Sequence, residues 1–482
     1  MNNNSQSYEI PYHRQVFVNR TLNLSAISIA GFDMDYTLAL YRSEVESLAW
    51  ELTLKKLVER LKYDAEILSF KYDPAFPLRG LIIDTFLGNI LKVDCHRYVW
   101  RAMHGLKTLS KEESDELYGS EPIEPSKKRF FLVDTLFSLP EVYLFALLVD
   151  FYEGRGLKPD RHEYYRFYKD IRETMDEIHA DNSLKSIIAA DFERYIIKDP
   201  DIPKTLHKLR SGGKKLFLLT NSLYDYTDKV MNFLFSGFMP EYPAWRNFFD
   251  AIIVGARKPH FFTGRDSFIE LNSRGEQTGN KVERFEKGRI YQGGNQKEFE
   301  RISGFRGDEI LYVGDNIYGD IMKSKKVSVW RSVMIIQEME GELEKLHSLR
   351  GEIRRMRELE MLYLGYQMQI RARLAEMKAI VGADAGTPER RERVEEEIEN
   401  FKNSIKYTGQ ALREIDEEIS KKFNPHFGML FKEGWEHSIF GAQVEEYACL
   451  YTGRVGNMML YSNLEYFRSL RDSLPHELVL NY

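Results

Sequence analysis

Short apolar runs recur along the chain and alternate with longer segments of helical periodicity. Apolar runs of this length, bounded by polar or turn-forming residues, predict buried strands. Strands that alternate with helix-length segments predict an α/β fold built on a parallel sheet. The four clearest runs are Ala26–Phe32, Lys215–Ser222, Ala251–Val254 and Ile310–Asp315.

Polar side chains stand where three of these strands should end. Asp33, Thr220 and Asp315 each occupy that position. In parallel sheets, functional groups lie just beyond the carboxyl ends of the strands. We therefore expect these side chains to share one edge of the sheet and to form a functional site there.

The segment between the first two runs has mainly helical periodicity. The apolar residues between Trp50 and Val58 mark one amphipathic helix, and Tyr164–His179 marks another. We expect a catalytic core made of residues 1–42 and 200–336, interrupted by a large, mainly helical insertion at residues 43–199.

The last part of the chain, after the predicted core, has a third pattern. Gln337–Lys378 and Glu389–Lys422 are long, charged and helical in period, and the turn-forming stretch Gly382–Pro388 joins them. We expect a helical hairpin at residues 337–424, whose charges form either a solvated face or a contact between subunits. The aromatic-rich residues 425–482 should pack back on the core.

Composition narrows the class of protein. The 482 residues are 43% hydrophobic and carry 68 Lys and Arg against 74 Asp and Glu, a formal charge of −6. Such a chain is too apolar to be disordered, and it lacks the basic field of a nucleic-acid binder. The chain has only two cysteines and begins with a polar stretch, which predicts a cytoplasmic protein. It has no apolar run of membrane-spanning length, so we expect no membrane segment.

The most informative short motif is the acidic pair Asp33 and Asp35 directly after the first strand. Two carboxylates so close together are stable only beside a cation, and oxygen ligands of this kind favour Mg²⁺. One carboxylate could attack phosphorus while the other donates and removes protons. Such a pair alone has little specificity, because most are surface or turn residues.

The residues that follow the other runs complete a consistent set. Thr220 and Asn221 offer a hydroxyl and an amide to phosphoryl oxygens, and Lys258 offers a positive charge. Asp315 could complete the Mg²⁺ site with Asp33 and Asp35. Asp320 could hold a water ligand or orient Lys258.

In this order, each after a strand, the motifs resemble those of the haloacid dehalogenase-like (HAD) superfamily. The resemblance implies a Rossmann-like core in which Asp33 is the nucleophile, an aspartyl-phosphate forms, and Asp35 is the general acid and base. An insertion between the first two motifs is, in that superfamily, a cap that restricts water and selects the substrate.

A narrower resemblance extends over most of the chain. The sequence is similar to the cytosolic purine 5′-nucleotidases that prefer IMP and GMP. The shared stretches are Gly31–Leu38, Leu139–Glu141, Leu219–Ser222, Tyr226–Lys229, Ala256–Pro259, Tyr291 with Gly293 and Gly294, Gly314–Asp320, Ser324–Lys326 and Phe427–Tyr451 with Gly434 and Trp435. The resemblance implies hydrolysis of purine nucleoside monophosphates, nucleoside phosphotransferase activity and a homotetramer.

The same resemblance assigns residues of the insertion to the nucleotide. Phe137 corresponds to the aromatic residue that stacks on the base, and the other implied contacts are Arg172, Asp176, His179 and Lys185. Arg172, Asp176 and His179 can share one helix face. Without the resemblance, the first two would be interpreted as a surface ion pair, His179 as a packed or exposed histidine, and Phe137 as core.

Some positions depart from the family pattern. Ser138 and Ala180 replace an amide and an aromatic residue, and Glu124 and Asp134 replace neutral or basic contacts to an effector. The chain also ends at Glu477–Tyr482 without an acidic tail. Allosteric activation by nucleotides is therefore not carried over from the family, and the sequence leaves it open.

Two other hypotheses remain open from the sequence. A broad phosphomonoesterase would use the same acidic set but ignore the base. A scaffold protein would act through the charged hairpin instead, although the intact acidic set argues against a protein without catalysis.

Overall fold

The computed structural model describes residues 10–119, 121–125, 128–322, 329–382, 388–434 and 436–470. Several stretches named in the sequence analysis lie outside the described residues. They are the polar N-terminal Met1–Gln6, the motif Ser324–Lys326, most of the turn between the two long helical segments, Trp435 and the final Glu477–Tyr482.

The N-terminal part of the chain contains short strands, and one of them, Ile29–Phe32, forms the second half of the first predicted run. This strand is buried along its whole length, in agreement with its apolar sequence. The strands here are β1 (Phe17–Val18), β2 (Leu22–Asn23), β3 (Ile29–Phe32) and β4 (Leu40–Tyr41).

The insertion combines helices with an antiparallel sheet. Five strands pair in the order β8-β7-β6-β5-β9, a sheet that the periodicity had not predicted. The elements are α1 (Ser43–Leu61), β5 (Ile82–Asp84), β6 (Asn89–Val93), β7 (Val99–His104), β8 (Lys107–Thr108), α2 (Lys111–Tyr118), β9 (Phe130–Leu132), α3 (Leu139–Gly154), α4 (Arg161–Ala180), α5 (Ser183–Ala190), α6 (Phe192–Tyr195) and β10 (Ile196–Ile197).

Strands and helices alternate again after the insertion. The predicted strands at residues 215, 251 and 310 are all present. The elements are α7 (Asp201–Ser211), β11 (Lys215–Leu219), α8 (Tyr224–Phe235), β12 (Ala251–Val254), α9 (His260–Thr263), β13 (Phe268–Leu271), β14 (Gln277–Lys281), β15 (Ile290–Gly293), α10 (Gln296–Ser303), β16 (Ile310–Gly314) and β17 (Arg331–Ile335).

The C-terminal part contains the long helices and a few short strands. The elements are α11 (Met339–Ser348), α12 (Arg350–Gly382), α13 (Pro388–Ser420), β18 (Lys432–Glu433), β19 (Glu436–His437), α14 (Ile439–Tyr447), β20 (Leu450–Thr452) and β21 (Tyr466–Phe467).

One large sheet organises the core. In the described part of the chain its order is β1-β20-β17-β16-β3-β11-β12-β15-β13-β14. The seven strands from β20 to β15 are parallel, and antiparallel strands flank them. β3 lies between β16 and β11, so the ends of three motif-bearing strands are neighbours. The fold is α/β, as the alternation of runs predicted.

The chain divides into two compact units. One comprises Met1–Glu340 and Leu430–Tyr482, and the other comprises Gly341–Met429. In the second unit α12 and α13 are antiparallel. Two ion pairs between the helices show this orientation: Arg373 pairs with Glu397 at 2.8 Å, and Arg390 pairs with Glu376 at 3.0 Å. A small apolar cluster of Met377, Ile380, Val394 and Ile398 packs between the two helices. Among the described residues, no helix combines the length and the apolar character that crossing a membrane requires.

Candidate active site

The carboxyl ends of β3 and β16 place Asp33 and Asp315 at one edge of the sheet. The two strands are parallel neighbours, and the backbone N–H of Asp33 donates to the carbonyl oxygen of Val313 at 2.9 Å. Both aspartates are buried, at 8% and 4% exposure. The shared edge predicted from the sequence is therefore present for these two residues.

Lys258 lies between Asp33 and Asp320. Its Nζ is 2.9 Å from Asp33 Oδ1 and 2.7 Å from Asp320 Oδ1, and it donates to the hydroxyl of Tyr312 at 2.8 Å. Burial disfavours the charge of Lys258, but the carboxylates of Asp320 and Asp33 outweigh burial and raise the pKa of the ammonium. Asp320 thus has the contact expected of a residue that orients Lys258.

Three carboxylates meet in this buried space. Asp33, Asp315 and Asp320 each offer an oxygen, and these oxygens lie within 4.8 Å of one another. Burial raises the pKa of Asp33 to about 7 despite the opposing charge of Lys258. Burial, together with the charges of Asp320 and Asp33, raises the pKa of Asp315 well above its usual range.

This donor set fits a divalent cation. When all three carboxylates are ionised, one ammonium leaves two negative charges uncompensated in a buried space, and such charges are costly. A hard divalent ion such as Mg²⁺ would supply the missing charge and accept carboxylate oxygens as ligands.

Asp35 has a different environment. Its Oδ1 accepts a hydrogen bond from the hydroxyl of Tyr41 at 2.6 Å, and its Oδ2 accepts one from the hydroxyl of Ser222 at 2.8 Å. Its carboxylate is absent from the group formed by Asp33, Asp315 and Asp320. The Asp35 side chain is therefore held by Tyr41 and Ser222 and does not belong to the carboxylate group that contains the other two predicted metal ligands.

Thr220 and Asn221 follow β11, the strand next to β3. The Thr220 hydroxyl accepts a hydrogen bond from the backbone of Ser222 at 3.1 Å. The Asn221 side chain both donates to and accepts from the backbone of Lys258, at 3.0 and 2.5 Å. Asn221 therefore fixes the backbone of Lys258 through two hydrogen bonds. It also lines a cavity together with Lys258.

Two adjoining cavities connect the acidic cluster with the insertion. A cavity of about 480 Å³ is lined by Asp33, Lys258 and Asp315, and a second of about 310 Å³ contains the residues predicted to hold a base. The two share Asp35 and Asn221, together with Phe137 and Arg172 of the insertion. Residues far apart in sequence thus line one continuous site. The residues predicted to contact a base that line the second cavity are Phe137, Arg172, Asp176, His179 and Lys185.

Arg172 is the centre of a polar network in the second cavity. It donates to Ser138 at 2.8 Å and to Glu141 at 2.9 Å, and it pairs with Asp176 at 3.1 Å. Burial raises the pKa of Glu141 to about 7, although the charge of Arg172 opposes the shift. The predicted Arg172–Asp176 pair is present, and Glu141 adds a buried partner.

Aromatic rings surround Phe137. Its ring makes edge-to-face contacts with Tyr36 at a centroid distance of 4.6 Å and with His179 at 5.1 Å. Burial, with the nearby charge of Lys185, lowers the pKa of His179 to about 4, so its imidazole is neutral near pH 7. The Nε2 atom of His179 is buried without a hydrogen-bond partner among the described residues.

Lys185 connects the insertion to the catalytic motif. Its Nζ lies 3.4 Å from the hydroxyl of Ser222, which in turn donates to Asp35. The ammonium also lies 5.2 Å from the centre of the Tyr226 ring. Lys185 is therefore placed close to the junction of the two cavities.

Some residues of the site were not predicted as functional. Tyr41 and Ser222 hold Asp35, Glu141 holds Arg172, and Tyr312 contacts both Lys258 and Asp320. Arg79 donates to the backbone carbonyl of Asp315 at 3.1 Å. Ser222 and Glu141 stand inside stretches that resemble the family, which was the one signal that could have found them.

Comparison with known proteins identifies a family. The profile described as 5' nucleotidase family matches residues 16–479. A 5'-nucleotidase domain-containing protein of Dictyostelium discoideum is 31% identical over 476 residues, which cover 97% of this chain and 76% of that protein.

Two mammalian proteins are similar to the chain to the same degree. The 5'-nucleotidase domain-containing protein 2 of Rattus norvegicus is 30% identical over 96% of this chain and 80% of its own length. The protein of the same name from Homo sapiens is 30% identical over 96% of this chain and 85% of its own length.

Proposed function

The chain belongs to the 5′-nucleotidase family, and from this premise we propose that it is a Mg²⁺-dependent 5′-nucleotidase on a HAD-like core. Its substrates are purine nucleoside 5′-monophosphates, with IMP and GMP favoured, and its products are a nucleoside and phosphate. The main observation in support of this function is the arrangement of two cavities. The cavity that contains Asp33 and Lys258 adjoins the one that contains Phe137, Arg172 and His179.

Asp33 and Asp315 are the residues that would hold Mg²⁺. Their burial and mutual repulsion favour a bound cation, as the raised pKa values of both carboxyls indicate. Mg²⁺ would offset the negative charge of the carboxylates and of the phosphoryl group. The sequence-based assignment of Asp35 to the same metal stays a prediction.

Asp33 is the proposed nucleophile. Its carboxylate attacks phosphorus and forms an aspartyl-phosphate, while the 5′ oxygen of the nucleoside leaves. Lys258, held by Asp320, faces the charge that develops on the transferring group. We propose that the Thr220 hydroxyl and the Asn221 amide assist in positioning that group. Asn221 lines both cavities, whereas Thr220 is fully buried directly before it in the chain.

Asp35 is the proposed proton donor and acceptor. It protonates the leaving 5′ oxygen and then removes a proton from the water that hydrolyses the aspartyl-phosphate. The hydrogen bonds from Tyr41 and Ser222 fix the orientation of its carboxyl group. If a nucleoside hydroxyl replaces that water, the same steps give phosphotransfer.

The insertion supplies the proposed selectivity for purines. Phe137 offers a ring for stacking on the base, and the Arg172 network offers a donor and an acceptor to its polar edge. IMP and GMP share a carbonyl oxygen and an adjacent N–H on that edge, which match such a pair. The buried, unpartnered Nε2 of His179 offers a further hydrogen bond.

Two parts of the proposal concern the setting of the reaction. We place the enzyme in the cytoplasm, where its two cysteines would stay reduced. We also propose a homo-oligomer, a tetramer by similarity to the purine 5′-nucleotidases.

The replacement Asp33→Asn tests the mechanism. It removes the nucleophile but keeps the size of the side chain, so phosphate release from IMP should fall by at least about 1,000-fold. The thermal midpoint should change by only a few degrees. A matched control is Asp266→Asn, which changes a carboxylate outside the lining of both cavities. Near-normal turnover by Asp33→Asn would refute the assignment.

A further inference from the structure

A second group of potential metal ligands lies where the insertion meets the C-terminal part of the chain, apart from the acidic cluster. Cys95 and His96 follow β6, and Glu436 lies on β19. The distance from Cys95 Sγ to Glu436 Oε2 is 3.7 Å, and that from His96 Nε2 to the same oxygen is 3.8 Å. All three donor atoms lie within 4.8 Å of one another.

The turn that carries Cys95 and His96 is held by Asp94. Its Oδ1 accepts hydrogen bonds from the backbone of His96 at 2.9 Å and of Tyr98 at 3.0 Å. Its Oδ2 accepts one from the Trp100 indole at 2.8 Å. The carboxylate of Asp94 thus shapes the turn that carries the two neighbouring side chains.

The strand that carries Glu436 is held against the same turn. The backbone N–H of Cys95 donates to the carbonyl oxygen of His437 at 2.8 Å. Glu433, on the partner strand β18, is buried and pairs with Lys92 at 2.9 Å and Arg101 at 2.7 Å. These backbone contacts and ion pairs hold the two segments that carry the three donors next to each other before any ion binds.

The donor types point to zinc or a closely similar transition metal. A thiolate, an imidazole and a carboxylate bind Zn²⁺ at about 2.0–2.3 Å, which places neighbouring ligand atoms roughly 3.3–3.6 Å apart in a tetrahedron. The distances of 3.7 and 3.8 Å need to shorten only slightly. Hard ions such as Mg²⁺ avoid thiolates, so the site differs in preference from the acidic cluster.

The site is also accessible to an ion from solvent. The side chains of His96 and Glu436 are 65% and 48% exposed. Three protein ligands at an open surface leave the fourth position to water.

We propose that Cys95, His96 and Glu436 bind one Zn²⁺ ion, with water as the fourth ligand. The ion would connect residues more than 300 positions apart in sequence and fasten the β18–β19 hairpin to the sheet of the insertion. Its role is to stabilise this contact, and it is separate from the proposed phosphoryl transfer.

Cobalt substitution gives the most direct test. The full-length, reduced and metal-free protein is titrated with Co²⁺ in the presence of saturating Mg²⁺. One equivalent should produce visible tetrahedral ligand-field bands and a thiolate-to-cobalt charge-transfer band. Because Cys449, the only other cysteine, is buried at 1% exposure, that band reports on Cys95. Zn²⁺ should abolish it by displacing Co²⁺.

Single-ligand variants test the site residue by residue. Cys95→Ser should abolish the charge-transfer band. His96→Gln and Glu436→Gln should each weaken Zn²⁺ binding by at least about 100-fold, because replacing even a residue that only supports a metal ligand lowers metal affinity by about 10–100-fold. His162→Gln, at an exposed histidine of α4, is the control and should bind normally.

Two results would overturn the proposal. One is a cobalt titration of the wild-type protein without a thiolate band. The other is unchanged Zn²⁺ affinity in folded His96→Gln, whose exposed side chain can be replaced without disturbing the core. Neither measurement involves a nucleotide, so either failure leaves the proposed nucleotidase activity to its own test.

Discussion

At the residue scale, the site depends on side chains that are held in one protonation state by burial. His179 shows this most simply, because the folded protein disfavours its charged form and lowers its pKa to about 4. A neutral imidazole can accept a hydrogen bond from a base or a ribose hydroxyl, whereas an imidazolium could only donate. The residue is therefore suited to recognition rather than to binding of the phosphate charge.

This shift predicts how stability depends on pH. In the unfolded chain His179 binds a proton below its ordinary pKa of 6.5, whereas in the folded protein it does so only near pH 4. Its contribution to the free energy of unfolding is therefore complete above pH 6.5 and is lost as the pH falls towards 4. Between about pH 7 and pH 5 the loss should be about 1–2 kcal/mol. His179→Gln should remove it.

The measurement is the fall in thermal midpoint from pH 7 to pH 5, without ligand, for wild type and variant. His179→Gln should show a smaller fall than wild type. His162→Gln, which changes an exposed histidine of the same helix, should fall as wild type does. Equal falls for all three proteins would contradict the assigned state of His179.

At the element scale, close packing between β3 and the strands beside it positions Asp33. Gly31 lies in β3, and a Cβ atom there would be 2.0 Å from the ring of Phe217. That ring cannot move aside easily, because Phe299, Tyr312 and Trp330 pack around it. The absence of a side chain at Gly31 thus allows the strand that carries Asp33, the proposed nucleophile, to pack closely against Phe217.

We expect Gly31→Ala to destabilise the protein by about 1–3 kcal/mol, the usual cost of forcing an extra methyl group into a packed core. Gly154→Ala is the matched control, since a Cβ atom there meets nothing within 4 Å, and it should be neutral or slightly stabilising. Chemical or thermal denaturation of both variants measures the difference. Equal stability of the two would mean that the sheet adapts to the added methyl group.

The elements predicted from sequence were those with a strong local pattern. β3, β11, β12 and β16 are buried apolar runs, and the long helices have clear periodicity. The sheet of the insertion was missed because its strands are short and bury polar residues. In β6, Asn89 and Lys92 are both buried, and their partners Tyr118 and Glu433 come from other elements.

Prediction of the site was also restricted to features with a local sequence pattern. The acidic motifs have fixed spacing and could be placed on strand ends from the sequence. The partners that orient them could not, because contacts such as Tyr41 with Asp35 or Arg172 with Glu141 arise only when distant segments fold together. Burial of Asp315, and hence its raised pKa, likewise has no local signal.

At the scale of the whole molecule, Arg79 joins the insertion to the catalytic edge of the sheet. Its buried guanidinium makes two hydrogen bonds of 2.7 Å to Glu338 and a third to the carbonyl oxygen of Asp315. It also lies 4.8 Å from the centre of the Phe440 ring. Through these contacts one side chain of the insertion fixes the position of a proposed metal ligand.

Arg79→Lys keeps the charge but cannot reproduce the paired hydrogen bonds of a guanidinium. We expect the Mg²⁺ concentration for half-maximal activity to rise about tenfold, the effect of loosening a residue behind a metal ligand. Arg129→Lys, which breaks a similar pair with Asp84 within the insertion, should leave that concentration unchanged. A loss of stability with an unchanged Mg²⁺ requirement would show that Arg79 is merely structural.

Hydrolysis of purine nucleoside monophosphates is the proposed activity of the whole molecule. The most direct test measures phosphate release from IMP, GMP, AMP, pyrimidine nucleotides and sugar phosphates, with and without Mg²⁺, and with added nucleoside to detect transfer. We expect phosphate release that requires Mg²⁺ and is fastest with IMP and GMP. Equal rates across all substrates would indicate a broad phosphomonoesterase, and no release from any of them would contradict the claim.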